Sequence, residues 1–130
     1  MWLLKTEPGT YGWADLERDR RTRWDGVRNP VAQKNLKAMC EGEVVVIYHT
    51  GGERAAVGLA RVKRAAYPDP ADASLVAVDI EIDRPLPRSF SLDEMKKLDV
   101  FADSPVVRQG RLSVAPLTEA QLQTICGGKP

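Results

Sequence analysis

Apolar positions along this chain change their period several times, and each change marks an element. The run Trp2-Leu3-Leu4, closed by Pro8, predicts a strand over residues 1–5. Thr10 is placed to cap a helix over Gly12 to Arg18 that carries Trp13 and Leu16 on one face. Ala32, Leu36 and Met39 recur at i, i+4 and i+7, which predicts a helix from Pro30 to about Cys40, with Lys34 and Lys37 off the apolar stripe. Asn29 suits its N-cap and Pro30 its first turn, where a missing N–H costs nothing.

The period then shortens to two. Glu43 to His49 and Ala55 to Arg64 read as strands joined by a glycine turn at Thr50-Gly51-Gly52-Glu53, an antiparallel hairpin. Val44 to Ile47 is apolar at every position, as in a strand covered on both faces. A loop over Pro68 to Asp72 leads to a strand from Leu75 to Asp83, where Val76, Val78, Ile80 and Ile82 alternate with Ala77, Asp79 and Glu81. Pro85 and Pro87 should end that pattern. Ser91-Leu92-Asp93-Glu94 and Thr118-Glu119-Ala120-Gln121 are capping boxes that open two short helices, the first ending near Leu98 and the second at Gly127-Gly128. Between them, Val106 to Gln109 fits helix or strand, and Arg111 to Leu117 reads as a last strand. Strands that pair with sequence neighbours, without βαβ alternation or a glycine-rich phosphate loop, give an α+β fold around a mostly antiparallel, barrel-like sheet.

Composition narrows the function classes. A chain of 130 residues is expected to form a single domain, residues 1–130, with a core large enough to need no staples. Cys40 and Cys126 lie far apart without a CxxC spacing, and His49 is the sole histidine, so a Cys/His zinc site lacks ligands and no metal or other cofactor is expected. The longest apolar run, Val44 to Tyr48, is too short to span a bilayer, and no signal-peptide pattern opens the chain. A soluble, cytoplasmic monomer is the expectation.

Charge adds a direction. The net charge is only +1, yet residues 17–37 carry seven Lys/Arg against three acids, whereas residues 69–103 carry nine acids against four bases. Such a local basic stretch fits a few phosphate contacts at one place better than the coating of a long duplex. A solvated helix face would explain the same charges. All three tryptophans lie in the first 24 positions, where the bases also gather. Trp2 and Trp13 fall on apolar stripes and read as core. Trp24, in a loop, and Tyr48, at a strand end, remain as walls for a stacked base, a contact worth about 1–3 kcal/mol. The plainer alternative makes Trp24 a core plug and Asp25-Gly26 an ordinary turn. His49 is the only histidine that a Ser-His-Asp or Cys-His hydrolase could use, and a strand-end histidine is more often a polar, hydrogen-bonded surface group than a base.

Four blocks, WLLKTEP at 2–8, WDGVRN at 24–29, YHT at 48–50 and RQGRLSV at 108–114, stand in an order and spacing that resembles the EVE domain over nearly the whole chain. The resemblance, to small stand-alone bacterial members, implies a PUA-like pseudo-barrel of mostly antiparallel strands ringed by short helices. It also implies binding of a modified nucleobase, chiefly modified cytosine in DNA, with RNA or a free modified nucleoside as other partners. Carried over by position, Trp24, Tyr48, Thr50, Asn29 and Ser113 would hold the base, and Lys5, Thr6, Arg28 and Arg111 the flanking phosphates. Pro30 stands where an aromatic residue is usual in that family, and Gly110 where serine is usual. No catalytic residue is assigned on this reading. The alternative is a hydrolase or processing enzyme acting on modified nucleosides or RNA through Lys5, Thr6 or His49, and a protein-interaction module is a third.

Overall fold

A computed structural model describes residues 1–127. Its centre is one six-stranded sheet in the order β2-β5-β4-β3-β1-β6, built from β1 (Trp2–Thr6), β2 (Arg21–Trp24), β3 (Val44–His49), β4 (Ala55–Asp69), β5 (Asp72–Ser91) and β6 (Val114–Pro116). Every pairing is antiparallel except β1 with β3, where Lys5 faces Tyr48 and Thr6 faces His49. That parallel pair needs a crossover, supplied by α1 (Pro8–Tyr11), α2 (Trp13–Asp19), β2 and α3 (Pro30–Ala38). Helices α4 (Leu92–Lys96), α5 (Pro105–Arg108) and α6 (Glu119–Ile125), with a 3-10 turn at Asp99–Phe101, follow the sheet's long hairpin.

Local chemistry explains most boundaries. Asn29 accepts from the Val31 and Ala32 N–H groups at 2.9 and 3.0 Å and starts α3 as expected. Ala32, Leu36 and Met39 point into the core, and full burial of a side chain such as Leu36 contributes about 1.5–3 kcal/mol. Both capping boxes form, at Ser91 with Glu94 and at Thr118 with Gln121. Leu117 and Leu122 are both buried beside the second. Gly127 takes a φ of +73°, the left-handed turn that ends α6, and Gly128 lies outside the described residues. The all-apolar β3 is buried from Val45 onward, as a doubly covered strand should be. Cys40 is exposed, Cys126 buried, and both are free.

Several expectations are corrected. The first helix is two: Glu7 caps α1 through the Gly9 N–H with Pro8 in its first turn, Thr10 lies inside α1, and Gly12 is the N-cap of α2, its N–H donating to Asp15. Trp24 was read as loop and ends β2, a strand that forms because Thr22 and Trp24 alternate with exposed Arg21 and Arg23 against the edge of β5. The proline and aspartate loop shrinks to Pro70-Ala71, since β4 continues to Asp69 and β5 begins at Asp72. Pro85 and Pro87 do not end β5. Past Glu81, β2 no longer pairs with that strand, so prolines can sit where one edge needs no N–H while β4 still pairs on the other. Residues 106–108 are helical, and the last strand contracts to β6, leaving Arg111 to Ser113 in the preceding turn. Ala77 is fully buried, so the supposed outer face of β5 is covered in part.

Trp13 locks the helical crossover onto the sheet. Its ring lies so close to Gly58 of β4 that a Cβ there would fall within the indole, which is why this strand position carries glycine. Its backbone N–H donates to His49 Nε2 at 3.0 Å, while His49 Nδ1 stands 2.7 Å from Glu53 Oε1. The neutral Nδ1–H tautomer satisfies both contacts.

Candidate functional site

The alternation of β2 builds one wall of the site. Arg21 and Arg23 are exposed, whereas Thr22 and Trp24 turn to the half-buried side. Trp24 packs partly on the core, and Tyr11 at the end of α1 meets it edge to face, with ring centroids 6.3 Å apart and planes at 88°. Such a pair contributes about 0.5–1.5 kcal/mol beyond its buried area. The Tyr11 hydroxyl donates to Asp19 Oδ2 at 2.9 Å, and burial, then this carboxylate, push the phenol above its ordinary pKa.

The loop after Trp24 is held from below. Gly26 has a φ of +69° and donates its N–H to Asp69 Oδ2 at 3.0 Å, while the Ala71 N–H donates to Oδ1 at 2.9 Å. Those two donors keep the buried Asp69 carboxyl below its ordinary pKa. Gln33 of α3 adds a second anchor: its amide donates to the Val27 carbonyl at 2.6 Å and the Val76 carbonyl at 3.1 Å, and its oxygen accepts from the Val76 N–H at 2.8 Å. Loop, helix and β5 are thereby tied together by one buried side chain.

Between this wall and the end of β1 lies a cleft of about 540 Å³. Lys5, Thr6, Trp24, Arg28 and Ser113 all line it, with Thr22 and with Tyr11, which packs on the indole. Lys5, Arg23 and Arg28 are its cations, and Glu7 and Asp25 its acids. The size suits a nucleoside-sized ligand. The Lys5 backbone N–H donates to the Ser113 carbonyl at 2.9 Å, which brings the late motif to the end of β1. Thr6 Oγ1 donates to the Tyr11 carbonyl at 2.6 Å and so fixes the start of the crossover.

The other sequence-selected residues fall elsewhere. Tyr48 and Thr50 line a neighbouring depression of about 330 Å³, which shares Lys5 with the main cleft. Tyr48 is 3% exposed, so its ring is core more than wall, and Trp24 and Tyr48 line different clefts. Lys5 Nζ stands 5.5 Å from the Tyr48 ring centroid and donates to the Gly110 carbonyl at 3.1 Å. Burial lowers the pKa of that amine. Asn29 does not line the cleft, and its Oδ1 is engaged in capping α3. Arg111 is exposed in the turn before β6 and lines neither space. His49 has both ring nitrogens engaged, so it offers no free base. Among the described residues no group of three or more His, Cys, Asp or Glu stands together as a metal site, and no helix is long and apolar enough to cross a membrane.

A family model described as the EVE domain matches residues 1–127. The chain belongs to the EVE domain family. This EVE chain is similar to the Rhodopseudomonas palustris protein Rpa0253, at 36% identity and a TM-score of 0.91 over 98% of this chain and 90% of that one. It is also similar to the human THYN1 protein in its complex with 5-methylcytosine containing DNA, at 26% identity and a TM-score of 0.88 over 97% of this chain and 96% of that one. Thymocyte nuclear protein 1 of Danio rerio is 27% identical across 95% of this chain and 69% of its own length. The fold of this EVE chain is accordingly PUA-like, α+β, with a mostly antiparallel sheet and short helices.

Three residues that shape the EVE cleft escaped the sequence reading. Tyr11 lies outside the motif blocks, and nothing local says that it meets Trp24. Gln33 lies on the apolar side of α3, one position after Ala32, and a polar residue within a buried stripe was the available signal. Asp69 was assigned to a proline loop, where an aspartate is ordinary.

Proposed function

We propose that this chain is a nucleic-acid-binding module that accepts a modified nucleobase, of the modified cytosine class, in the cleft beside Trp24. The carrying observation is the cleft itself, which an indole braced by Tyr11 lines together with Lys5, Thr6 and Ser113. The likeness to a human protein in complex with 5-methylcytosine containing DNA supports the ligand class. On this reading the aromatic wall is Trp24 with Tyr11 behind it, in place of the Trp24 and Tyr48 pair, and Tyr48 acts through Lys5. A flat base stacks on the indole, Ser113 and the polar backbone at the end of β1 meet its edge, and Arg28 and Lys5 meet phosphates. Binding without chemistry is favoured over hydrolysis because both nitrogens of His49 are engaged in structural contacts.

The cleft is small and the net charge is +1, so specificity has to come from the pocket and not from a long phosphate track. Extracting a paired base costs a few kcal/mol, comparable to one stacking contact. A 5-methylcytosine in a single strand should therefore bind several-fold more tightly than the same base in a perfect duplex. Competition between the two oligonucleotides at fixed salt tests the proposal, and 5-methyldeoxycytidine alone should compete weakly but measurably. No competition by the nucleoside, with unmodified strands bound equally well, would remove the base pocket from the account.

A further inference from the structure

On the other side of β2 from Trp24 lies a second cleft, of about 460 Å³, formed by Arg21, Arg23, Arg64, Tyr67 and Asp79. It shares Thr22 and Arg23 with the first, so β2 is a thin partition between them. Asp79 of β5 occupies its floor, with a side chain 15% exposed. Arg23 faces Asp79 across the β2 pairing, and Arg64 faces it across the β4 pairing. Arg21 Nη2 bonds the same carboxylate at 3.2 Å, and the Tyr67 hydroxyl donates to its other oxygen. Arg23 also bonds Asp25 at 3.0 Å. The Arg64 guanidinium lies 3.9 Å from the Tyr67 ring centroid and, among the described residues, forms no ion pair.

Three arginines thus line one cleft: Arg21 is paired with the largely buried Asp79 and Arg23 with Asp25, which leaves the charge of Arg64 in excess. An arginine flat on a tyrosine is presented for outward contact because stacking orients it without using its donors. Arg21 and Arg23, two residues apart on a strand, stand about 6–7 Å apart, a step like that between neighbouring phosphates of an extended strand. β2 ends the strand order of the sheet, so a chain leaving the Trp24 cleft can pass over its outer edge onto these arginines.

The geometry points to this cleft as the seat of the phosphates next to the read base: a single strand whose base enters the Trp24 cleft crosses β2 and lays its backbone on Arg21, Arg23 and Arg64. This rests on the base-binding reading above, keeps Lys5 and Arg28 as phosphate contacts at the first cleft, and adds the path of the strand beyond it. Arg64 and Tyr67 carry the assignment because they lie outside the basic stretch of residues 17–37 in sequence and line only the second cleft.

The test uses the full chain, a short single strand with one central 5-methylcytosine, the free nucleoside 5-methyldeoxycytidine, and strands in which single phosphates near the modified base are replaced by uncharged methylphosphonates. Arg64→Gln, which keeps length and polarity, should weaken the strand by about five-fold or more at low salt. It should also reduce the slope of log affinity against log salt by about 0.7, the value of one single-strand phosphate contact. Affinity for the nucleoside should be unchanged. At one phosphate position the methylphosphonate should produce the same loss in the native protein and no further loss in Arg64→Gln, because both remove the same contact. Arg21→Gln should repeat the pattern at a neighbouring position. Strand affinity within two-fold of native for both variants, or losses that add at every position, would overturn the path. Nucleoside binding indifferent to Trp24→Ala would instead overturn the base-reading on which the path rests.

Discussion

Tyr11 and Trp24 meet edge to face, 6.3 Å between centroids, although one ends α1 and the other ends the strand after the next helix. The contact braces the indole on one side and leaves its cleft side for a ligand. Removing it tests the division of labour: Trp24→Ala should weaken 5-methyldeoxycytidine by about 1–3 kcal/mol, the worth of one stacked base. Because Trp24 also packs on the core, some loss of melting temperature accompanies it. Tyr11→Leu should lower affinity less, by loss of orientation, and titration of both variants with the nucleoside separates the two effects.

The close approach of Trp13 to Gly58 gives a second prediction. Gly58→Ala places a methyl group inside a rigid ring that has no room to withdraw, since its own backbone is held by His49. Overpacking of this kind costs about 1–3 kcal/mol. Urea unfolding should show that loss with an unchanged slope, and Trp13→Leu in the same chain should recover part of it by emptying the space.

Gln33 provides a third. Its side chain satisfies two carbonyls and one N–H that are otherwise enclosed beneath the Val27 loop. Gln33→Leu keeps the volume and leaves those groups without partners, which costs about 1–3 kcal/mol for each buried group left unsatisfied. Stability should fall and nucleoside affinity with it, because Val27 lines the cleft. Gln33→Glu would keep one acceptor and lose the donors, so it should not rescue.

What the sequence made legible follows from how local each signal is. The N-cap at Asn29, the capping boxes at Ser91 and Thr118, and the apolar β3 are decided within a few residues, and all four are found as read. The β2 edge strand was missed because its pattern, two exposed arginines around Thr22, has meaning only beside Val78 to Glu81 of β5. Strand β5 was cut short because a proline ends a central strand, and whether residues 85 and 87 are central depends on where β2 stops. The same limit applies at the site. Lys5, Thr6, Trp24, Arg28 and Ser113 line one cleft, whereas Tyr48 is buried and lines a neighbouring one, and Tyr11 stands beside Trp24.

Acid should act first on some carboxylates and late on others. Arg88 bonds Glu94 bidentately at 3.1 and 2.8 Å, and the Ser91 N–H joins it, which lowers the Glu94 pKa from 4.5 to about 2. A carboxyl whose folded pKa is depressed contributes stability above its unfolded pKa and loses it as pH falls through the folded one. The melting-temperature gap between the native chain and Glu94→Gln should therefore be constant from pH 7 to about 5, narrow below pH 4.5, and close near pH 2. A gap that persists at pH 2 would mean that glutamine damages the cap by shape and not by charge.

Asp69 applies the same logic to the cleft. It is 2% exposed, and its two oxygens accept separately from Gly26 and Ala71, so it holds the loop that carries Asp25, Gly26 and Val27 to the cleft. Asparagine has one acceptor where the carboxylate has two, and its NH2 would face one of the N–H donors, so Asp69→Asn must release either Gly26 or Ala71. Release of Gly26 frees a residue at φ +69° that has little intrinsic reason to stay there. Nucleoside affinity at pH 7 should fall about three- to ten-fold, the effect of one charge-assisted hydrogen bond in part lost to solvent. Those N–H donors depress the Asp69 pKa below its ordinary 3.8, so the native anchor stays ionised, and the affinity gap to Asp69→Asn constant, from pH 7 to about 5. Below pH 3.8 the native carboxyl begins to protonate and the gap should close, because the neutral acid, like the amide, leaves one donor unmet. Nucleoside titrations of both proteins across that range decide it, and equal affinity at pH 7 would mean that the loop keeps its place without Asp69.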